Sequence, residues 1–156
     1  DYIVDVITQN IDNLHERAGS TKVLHLHGEA TKVRPEDGEY DRSYSEKEVI
    51  DIGYDEVHLG DNAPNGSQLR PHIVFFGEAV PNINKAIDIV SAADIMLIVG
   101  TSLNVYPAAG LYRYAPNGIP IYLIDPEDVA IADPRITQIR QVATKGMETF
   151  RRMLGQ

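Results

Sequence analysis

Short apolar runs recur along the chain at intervals that predict the strands of a sheet. Most are rich in Val and Ile, and several are almost continuously apolar, which is typical of strands covered on both faces in a parallel sheet. The strongest runs are Ile3–Thr8, Val23–His27, His72–Phe76, Ile95–Val99 and Ile119–Ile124. A weaker candidate is Gln138–Ala143.

Helical periodicity fills the intervals between these strands. Apolar residues recur at helical spacing over 11–18, 83–93, 107–114 and 147–154. Gly19 follows the first of these segments as a stop signal. Because strands alternate with helices, the sequence predicts an α/β fold with a mostly parallel sheet.

Residues 31–70 interrupt this alternation. Acidic residues dominate between Glu36 and Asp61, and turn-forming residues are dense over Gly60–Gly66. The acids are interpreted as a solvated face, because the alternating oxygen ligands and closing Glu of a Ca²⁺ loop are absent. The pattern predicts an inserted lobe with little regular structure.

Composition and charge exclude several classes of function. The chain has 156 residues, which fits one domain, and 14 Lys and Arg against 23 Asp and Glu give a net charge of −9. This balance argues against a nucleic-acid partner, which needs Lys and Arg to neutralise phosphates. Apolar runs fall short of the roughly 18 residues that a membrane span needs. The sequence has no cysteine, which excludes disulfides, a thiol nucleophile and thiolate metal sites and fits a cytoplasmic protein.

Polar residues follow the carboxyl ends of the predicted strands, which is where ligands bind in open parallel sheets. They are Gln9–Asp12, His27–Glu29, Gly77 with Glu78, Gly100–Ser102 and Asp125. One such ending is commonplace, because Asn, Asp and Ser also cap helices. Endings from several strands at one edge favour a polar ligand with several hydroxyl or phosphate groups.

Each of these endings also has a structural interpretation. Gly100–Ser102 can bring backbone and hydroxyl donors to a ligand, or it can form an ordinary strand-to-loop turn. Gln9–Asp12 can bind a carboxamide such as that of nicotinamide, or its Asn10 or Asp12 can cap the next helix. The glycines never form the G-x-G spacing of a dinucleotide turn. Either the ligand is not a dinucleotide, or that turn lies upstream of Asp1.

His27 is the candidate for proton transfer, because an imidazole can accept a proton near neutral pH. His25 and His27 share one side of the predicted strand, since side chains alternate along a strand. A hydrogen-bonded structural histidine is an equal alternative for His27. A metal-binding pair formed with His25 is a third, which lacks obvious further ligands.

Four segments, in this order, resemble the sirtuin family of NAD-dependent protein deacylases. They are Thr8–Gly19, Leu26–Gly28, Leu69–Glu78 and Gly100–Ala108. The resemblance covers 3–29 and 68–115 and implies an α/β fold with a mostly parallel, Rossmann-like sheet. It also implies that 1–29 and 72–156 belong to an NAD-binding domain, with 30–71 as an inserted small lobe.

The resemblance implies a role for each matched residue. His27 would be the general base that acts on the ribose hydroxyls of NAD. The residues lining the nicotinamide and ribose pocket would be Gln9, Asn10, Ile11 and Asp12. The other cofactor contacts would be Gly100, Thr101, Ser102, Asp125 and Ala143. The residues facing an acyl-lysine peptide would be Val74, Phe76, Gly77 and Glu78 on one side and Asn104, Val105 and Tyr106 on the other.

The chain departs from the family in three ways. The glycine-rich loop and the helices that precede Ile3 are missing, so we expect a fold incomplete at its N-terminus. Such a chain would bind NAD poorly and be inactive alone. The missing N-terminal segment would then be one of its partners. The zinc cysteines of the small lobe are absent, which implies no zinc. Asp125 stands where the family usually has Asn, and its charge would disfavour a nearby phosphate.

The resemblance implies an NAD-dependent protein lysine deacylase that acts on acyl-lysine proteins. In the family, the acyl oxygen attacks the ribose anomeric carbon as nicotinamide leaves, which yields free lysine and O-acyl-ADP-ribose. The alternatives are a non-catalytic NAD- or ADP-ribose-binding module and an NAD glycohydrolase or ADP-ribosyltransferase on the same scaffold. His27 favours catalysis over binding alone, and the peptide-facing segments favour deacylation over hydrolysis.

Overall fold

The computed structural model describes residues 2–36, 48–101 and 103–155. They form two compact units, Asp1–Asn84 and Lys85–Gln156, which are described separately. The sequence patterns do not predict this division. Ser102, one of the predicted cofactor contacts, and part of the predicted lobe (37–47) lie outside the described residues.

The first unit contains a pair of parallel strands, β1 (Val6–Thr8) and β2 (Val23–His25). A short helix, α1 (Leu14–Arg17), lies between them in the chain. Both strands confirm the prediction, although each is shorter than its apolar run. Because the two strands are parallel, the residues after Thr8 and those after His25 lie at the same edge of the pair.

A second, antiparallel sheet in the first unit has the order β4-β3-β5. Its strands are β3 (Gly28–Pro35), β4 (Ile50–Asp51) and β5 (Leu69–Ile73). The prediction of little regular structure is wrong for these segments. Strand β3 buries Val33 and Pro35 but is otherwise mostly polar, so its sequence lacks an apolar run.

The strand predicted over 72–76 is shifted in the structure toward the N-terminus, to β5. Its two phenylalanines misled the prediction, since Phe75 is 51% and Phe76 98% exposed. The pairing of β5 with β3 ends at Ile73, which lies opposite Gly28. The apolar residues that follow therefore belong to a loop.

The second unit contains three parallel strands in the order β6-β7-β8. They are β6 (Met96–Val99), β7 (Ile121–Ile124) and β8 (Ile136–Ile139). Its helices are α3 (Ala143–Met153), a 3-10 helix (Ala108–Tyr114) and most of α2 (Ile83–Ser91), which starts before the unit boundary. The parallel α/β prediction is confirmed here. Ala143 was predicted to end the last strand and instead begins α3.

The core of the second unit forms around β7. Ile121, Leu123 and Ile124 are fully buried, and the Phe150 ring from α3 packs edge-on against Tyr122 with centroids 5.0 Å apart. Each buried side chain of this size contributes roughly 1.5–3 kcal/mol. No helix among residues 2–36, 48–101 and 103–155 has the length and apolar character to cross a membrane.

Candidate functional site

The segment Gln9–Asp12 leaves the end of β1, and β2 and its continuation fix its main chain. Four consecutive carbonyl oxygens, those of residues 8 to 11, each accept one hydrogen bond from residues 25 to 30. The donors, in that order, are the Leu26 amide (2.9 Å), His27 Nδ1 (3.1 Å), His25 Nδ1 (2.9 Å) and the Ala30 amide (2.8 Å). This network sets the backbone orientation of the segment.

His27 follows β2 and is half-buried. Its Nδ1 lies 3.1 Å from the Gln9 carbonyl oxygen, which can only accept, so Nδ1 carries the proton of this contact. In neutral His27 the lone pair is therefore on Nε2. This tautomer gives the ring a hydrogen-bonded anchor on one side and a proton acceptor on the other. The geometry of His27 therefore fits both the structural and the proton-transfer interpretations of this histidine.

His25 lies at the end of β2 and is only 6% exposed. Its Nδ1 donates to the Asn10 carbonyl and its Nε2 donates to the Glu16 carboxylate, each at 2.9 Å. The two histidines thus reach neighbouring carbonyls of one segment, which agrees with their predicted placement on one side of the strand. The hydrogen bond from His25 holds the pKa of Glu16 below its ordinary value.

Asp12 has a local hydrogen bond at the start of α1. Its Oδ1 accepts the Leu14 amide at 3.0 Å in the turn that leads into α1. The N-cap residue of α1 is Asn13, and it forms no side-chain capping hydrogen bond, so the capping interpretation of Asn10 or Asp12 is wrong. The Thr8 hydroxyl accepts the Asn10 amide at 3.1 Å in the same turn. The side-chain amides of Gln9 and Asn10 take no part in these contacts.

The segment Val74–Glu78, predicted to face a peptide, is fixed by the carboxylate at its end. Glu78 accepts from Arg70 Nη1 at 2.6 Å and from the Phe75 amide at 2.9 Å, and Arg34 lies 3.6 Å away. The Arg70 guanidinium also covers the Phe75 ring at 4.6 Å. Phe76, beside it, is almost fully exposed.

Replacing Glu78 by Gln is expected to destabilise the protein by about 3 kcal/mol, because it removes the negative charge that pairs with the largely buried guanidinium groups of Arg70 and Arg34. Burial alone would raise the pKa of Glu78, but the hydrogen bonds from Arg70 and the Phe75 amide outweigh it, and the pKa lies below its ordinary value. The stabilisation is therefore present above pH 4.5 and lost as the pH falls through the depressed pKa. Urea unfolding at several pH values measures this difference.

The matched control is Glu29→Gln. Glu29 pairs with Lys32 at 2.6 Å, but both side chains are more exposed, at 27% and 30%. Its replacement is expected to cost below about 1 kcal/mol. Equal losses of stability in the two variants would contradict a structural role for the contacts of Glu78 with Arg70, Arg34 and the Phe75 amide.

In the second unit, predicted site residues follow the carboxyl ends of the parallel strands. Gly100 follows β6, and its amide donates to the Ile124 carbonyl at 3.0 Å, while the Thr101 hydroxyl accepts the Leu103 amide at 3.1 Å. Asp125 follows β7, and its Oδ1 accepts the Glu127 amide at 2.9 Å. Parallel pairing places these residues at one edge of the sheet.

The remaining predicted contacts of the second unit are solvent-accessible. Val105 is 45% and Tyr106 65% exposed, and Asn104 and Ala143 are also exposed. Ala143 is the first residue of α3. Within the part of the chain that the structure describes, no group of three or more His, Cys, Asp or Glu side chains could hold a metal ion.

Sequence reasoning missed three side chains that fix these segments. Glu16 pairs with His25, Arg70 pairs with Glu78, and the Asn82 side-chain amide donates to the His25 carbonyl at 2.9 Å. The opposite charges of Arg70 and Glu78, which flank the apolar run at 72–76, were a usable signal for Arg70. Asn82 had none, because its partner lies 57 residues away in the sequence. The sequence analysis gave Glu16 no role.

The chain belongs to the Sir2 family, whose family model matches residues 1–107. It is similar to an NAD-dependent protein deacylase of Bacteroides thetaiotaomicron, with 53% identity over 152 residues that cover 97% of this chain and 64% of that relative. The α/β fold is therefore the Rossmann-like fold of this family.

Solved structures of the family agree with this assignment. A Sir2 homologue in complex with NAD is 31% identical and superposes with a TM-score of 0.75, over 97% of this chain and 58% of that one. A complex of Sir2 with a p53 peptide and NAD⁺ is 32% identical with a TM-score of 0.69, over 98% of this chain and 62% of that one. The chain thus spans about three-fifths of the length of these proteins.

Proposed function

We propose that this chain carries the general base and part of the cofactor site of an NAD-dependent protein lysine deacylase. The single observation that supports it best is the hydrogen bond from His27 Nδ1 to the Gln9 carbonyl, which joins two of the four segments that resemble the family. Relatives named NAD-dependent protein deacylases support the class of reaction.

The residues of the Gln9–Asp12 segment have the donors and acceptors that NAD needs. With the main-chain oxygens of residues 8 to 11 engaged, the side-chain amides of Gln9 and Asn10 suit a carboxamide, and the Asp12 carboxylate suits a hydroxyl. We assign the nicotinamide and ribose to this segment, including Ile11. The further cofactor contacts are assigned to Gly100, Thr101, Ser102, Asp125 and Ala143.

When bound, NAD supplies the ADP-ribosyl group that receives the acyl group, with nicotinamide as the leaving group. His27 supplies the proton acceptor: its Nε2 lone pair takes the proton of a ribose hydroxyl, while Nδ1–H stays on the Gln9 carbonyl. The ring becomes an imidazolium in this step, and the Gln9 carbonyl favours the added charge because it already accepts from Nδ1.

The protein substrate is assigned to two segments, one in each unit. The residues that would contact an extended acyl-lysine peptide are Val74, Phe76, Gly77 and Glu78 in the first and Asn104, Val105 and Tyr106 in the second. A relative whose structure holds a p53 peptide and NAD⁺ supports this assignment. The firm anchoring of Glu78 gives its segment the rigidity that adding a peptide strand requires.

The domain assignment follows the family. Residues 30–71 would form the inserted lobe, and 1–29 with 72–156 would belong to the NAD-binding domain. The antiparallel pairing of β3, β4 and β5 supports the lobe, because the strands that precede and follow them in the chain pair in parallel. The absence of cysteine supports a cytoplasmic location.

The test is an assay of nicotinamide release by the longest natural polypeptide that contains these residues, with NAD and an acetyl-lysine peptide. Deacylation predicts that release requires the acetylated peptide and equals the amount of free lysine formed, with the unmodified peptide as the control. Release without peptide would replace deacylation by glycohydrolysis. NAD binding without release would leave a binding module.

A further inference from the structure

We propose that His25 is a positioning residue for the Gln9–Asp12 segment: its Nδ1 donates to the Asn10 carbonyl of the segment while its Nε2 donates to Glu16 on α1. The inference rests on the proposed function, because the position of this segment matters for turnover only if it binds NAD. His25 lies two residues before His27 and contacts the segment at the main-chain carbonyl of Asn10.

The partners of His25 fix its protonation state. The Asn10 carbonyl oxygen can only accept, so Nδ1 must carry a proton, and an ionised Glu16 carboxylate likewise requires a proton on Nε2. Both contacts at 2.9 Å are satisfied at once only by the imidazolium. The ring is buried and the carboxylate is 40% exposed, so the charge is paired at the protein surface.

The surrounding charges agree with this state. Burial would lower the pKa of His25, but the hydrogen bonds to Glu16 and to the Asn10 carbonyl, with the charge of Glu29, outweigh it and raise the pKa above its ordinary value of 6.5. Glu16 lies on α1 and Glu29 on β3, so acidic groups face the ring from both elements.

Neutral His25 cannot keep both contacts, because it has one N–H for two acceptors. The carboxylate is the stronger acceptor, so the proton remains on Nε2 and the Nδ1 lone pair faces the Asn10 carbonyl. Of the four carbonyl contacts of the segment, two come from main-chain amides and the one from His27 survives in its neutral form. The contact from His25 is thus the one that deprotonation removes.

A pH dependence follows. Since the pKa of His25 is raised in the folded protein, its hold on the segment is complete below pH 6.5 and is lost as the pH rises through the raised pKa. We expect the amides of Gln9–Asp12 to exchange faster and the KM for NAD to rise on the alkaline side. The kcat should change less, because His27 keeps its own anchor.

Two variants separate the contacts. Asn carries its side-chain nitrogen about where His carries Nδ1, and Gln carries it about where His carries Nε2. His25→Asn can therefore keep the Asn10 contact, whereas His25→Gln keeps only the Glu16 contact. Amide exchange of the segment and the KM for NAD should both rise about tenfold in His25→Gln, and by a smaller factor in His25→Asn.

Glu16→Gln provides the charge control. Its amide can donate to Nε2 of a neutral His25, so Nδ1–H stays on the Asn10 carbonyl at every pH. We expect this variant to lose the alkaline rise in amide exchange and in the KM for NAD. An unaltered alkaline rise in this variant would overturn the proposed pH dependence.

Nitrogen NMR of the His25 ring in the wild-type protein gives a readout that does not depend on activity. The sample is the longest natural polypeptide that contains this chain. Protons on both ring nitrogens of His25 at pH 6.5 are expected. A single ring proton, or equal exchange rates in the Asn and Gln variants, would overturn the proposal. A third result separates the two proposals. If both ring protons are found and the amides exchange faster in His25→Gln than in His25→Asn, but NAD does not bind, the positioning role stands and the proposed function fails.

Discussion

Replacing His27 by Asn is expected to lower the kcat for NAD-dependent deacylation by about 10³-fold while the protein remains folded. The side-chain nitrogen of Asn can take the place of Nδ1 and donate to the Gln9 carbonyl, which His27 Nδ1 contacts at 3.1 Å. Asn has no counterpart of the Nε2 lone pair. The variant therefore keeps the structural contact and loses the proton acceptor.

The comparison with His27→Ala separates these two roles. Ala removes the donor as well as the base, so it should show the same loss of kcat, faster exchange of the Gln9–Asp12 amides and lower stability. Rates of nicotinamide release, amide exchange and thermal unfolding provide the three measurements. If His27→Asn turned over within tenfold of the wild type, His27 would be a structural histidine and the general base would have to be sought elsewhere.

The sequence predicted the strands whose residues are almost all apolar. Strands β6 and β7 are continuous apolar runs and were found within a residue or two at each end, because both faces of a parallel strand are covered. Strand β3 was missed because its partners on one face are charged side chains, with Arg34 beside Glu78. The spacing of apolar residues does not predict a strand whose inward-facing side chains form ion pairs.

The sequence predicted which segments form the candidate site, but not which hydrogen bonds join them. The spacing of His25 and His27 placed both rings on one side of a strand, and the structure has both reaching the segment after β1. Which ring binds which carbonyl depends on the parallel register that sets Thr8 opposite His25. The pairing of His25 with Glu16 depends on how α1 packs against β2, which the helical spacing over 11–18 does not specify.

Gly28 follows His27 directly and has the tightest backbone environment among the glycines that the structure describes. Its φ is +78°, and a Cβ built there would lie 2.0 Å from the His72 carbonyl oxygen and 3.1 Å from the Cα of Ile73. The crowding comes from main chain, because Gly28 pairs with Ile73 where β3 meets β5. Strand β5 cannot yield without breaking this pairing.

Replacing Gly28 by Ala is therefore expected to cost about 4 kcal/mol of stability, from left-handed strain and the overlap with β5 together. For a chain of this size the loss corresponds to a fall in Tm of roughly 10 °C. The matched control is Gly66→Ala, since Gly66 has a similar φ of +85° but open space around its Cβ. That variant retains only the strain and should lose about 1 kcal/mol. Equal losses in the two variants would mean that torsion alone requires glycine at position 28, and would contradict the close approach of His72.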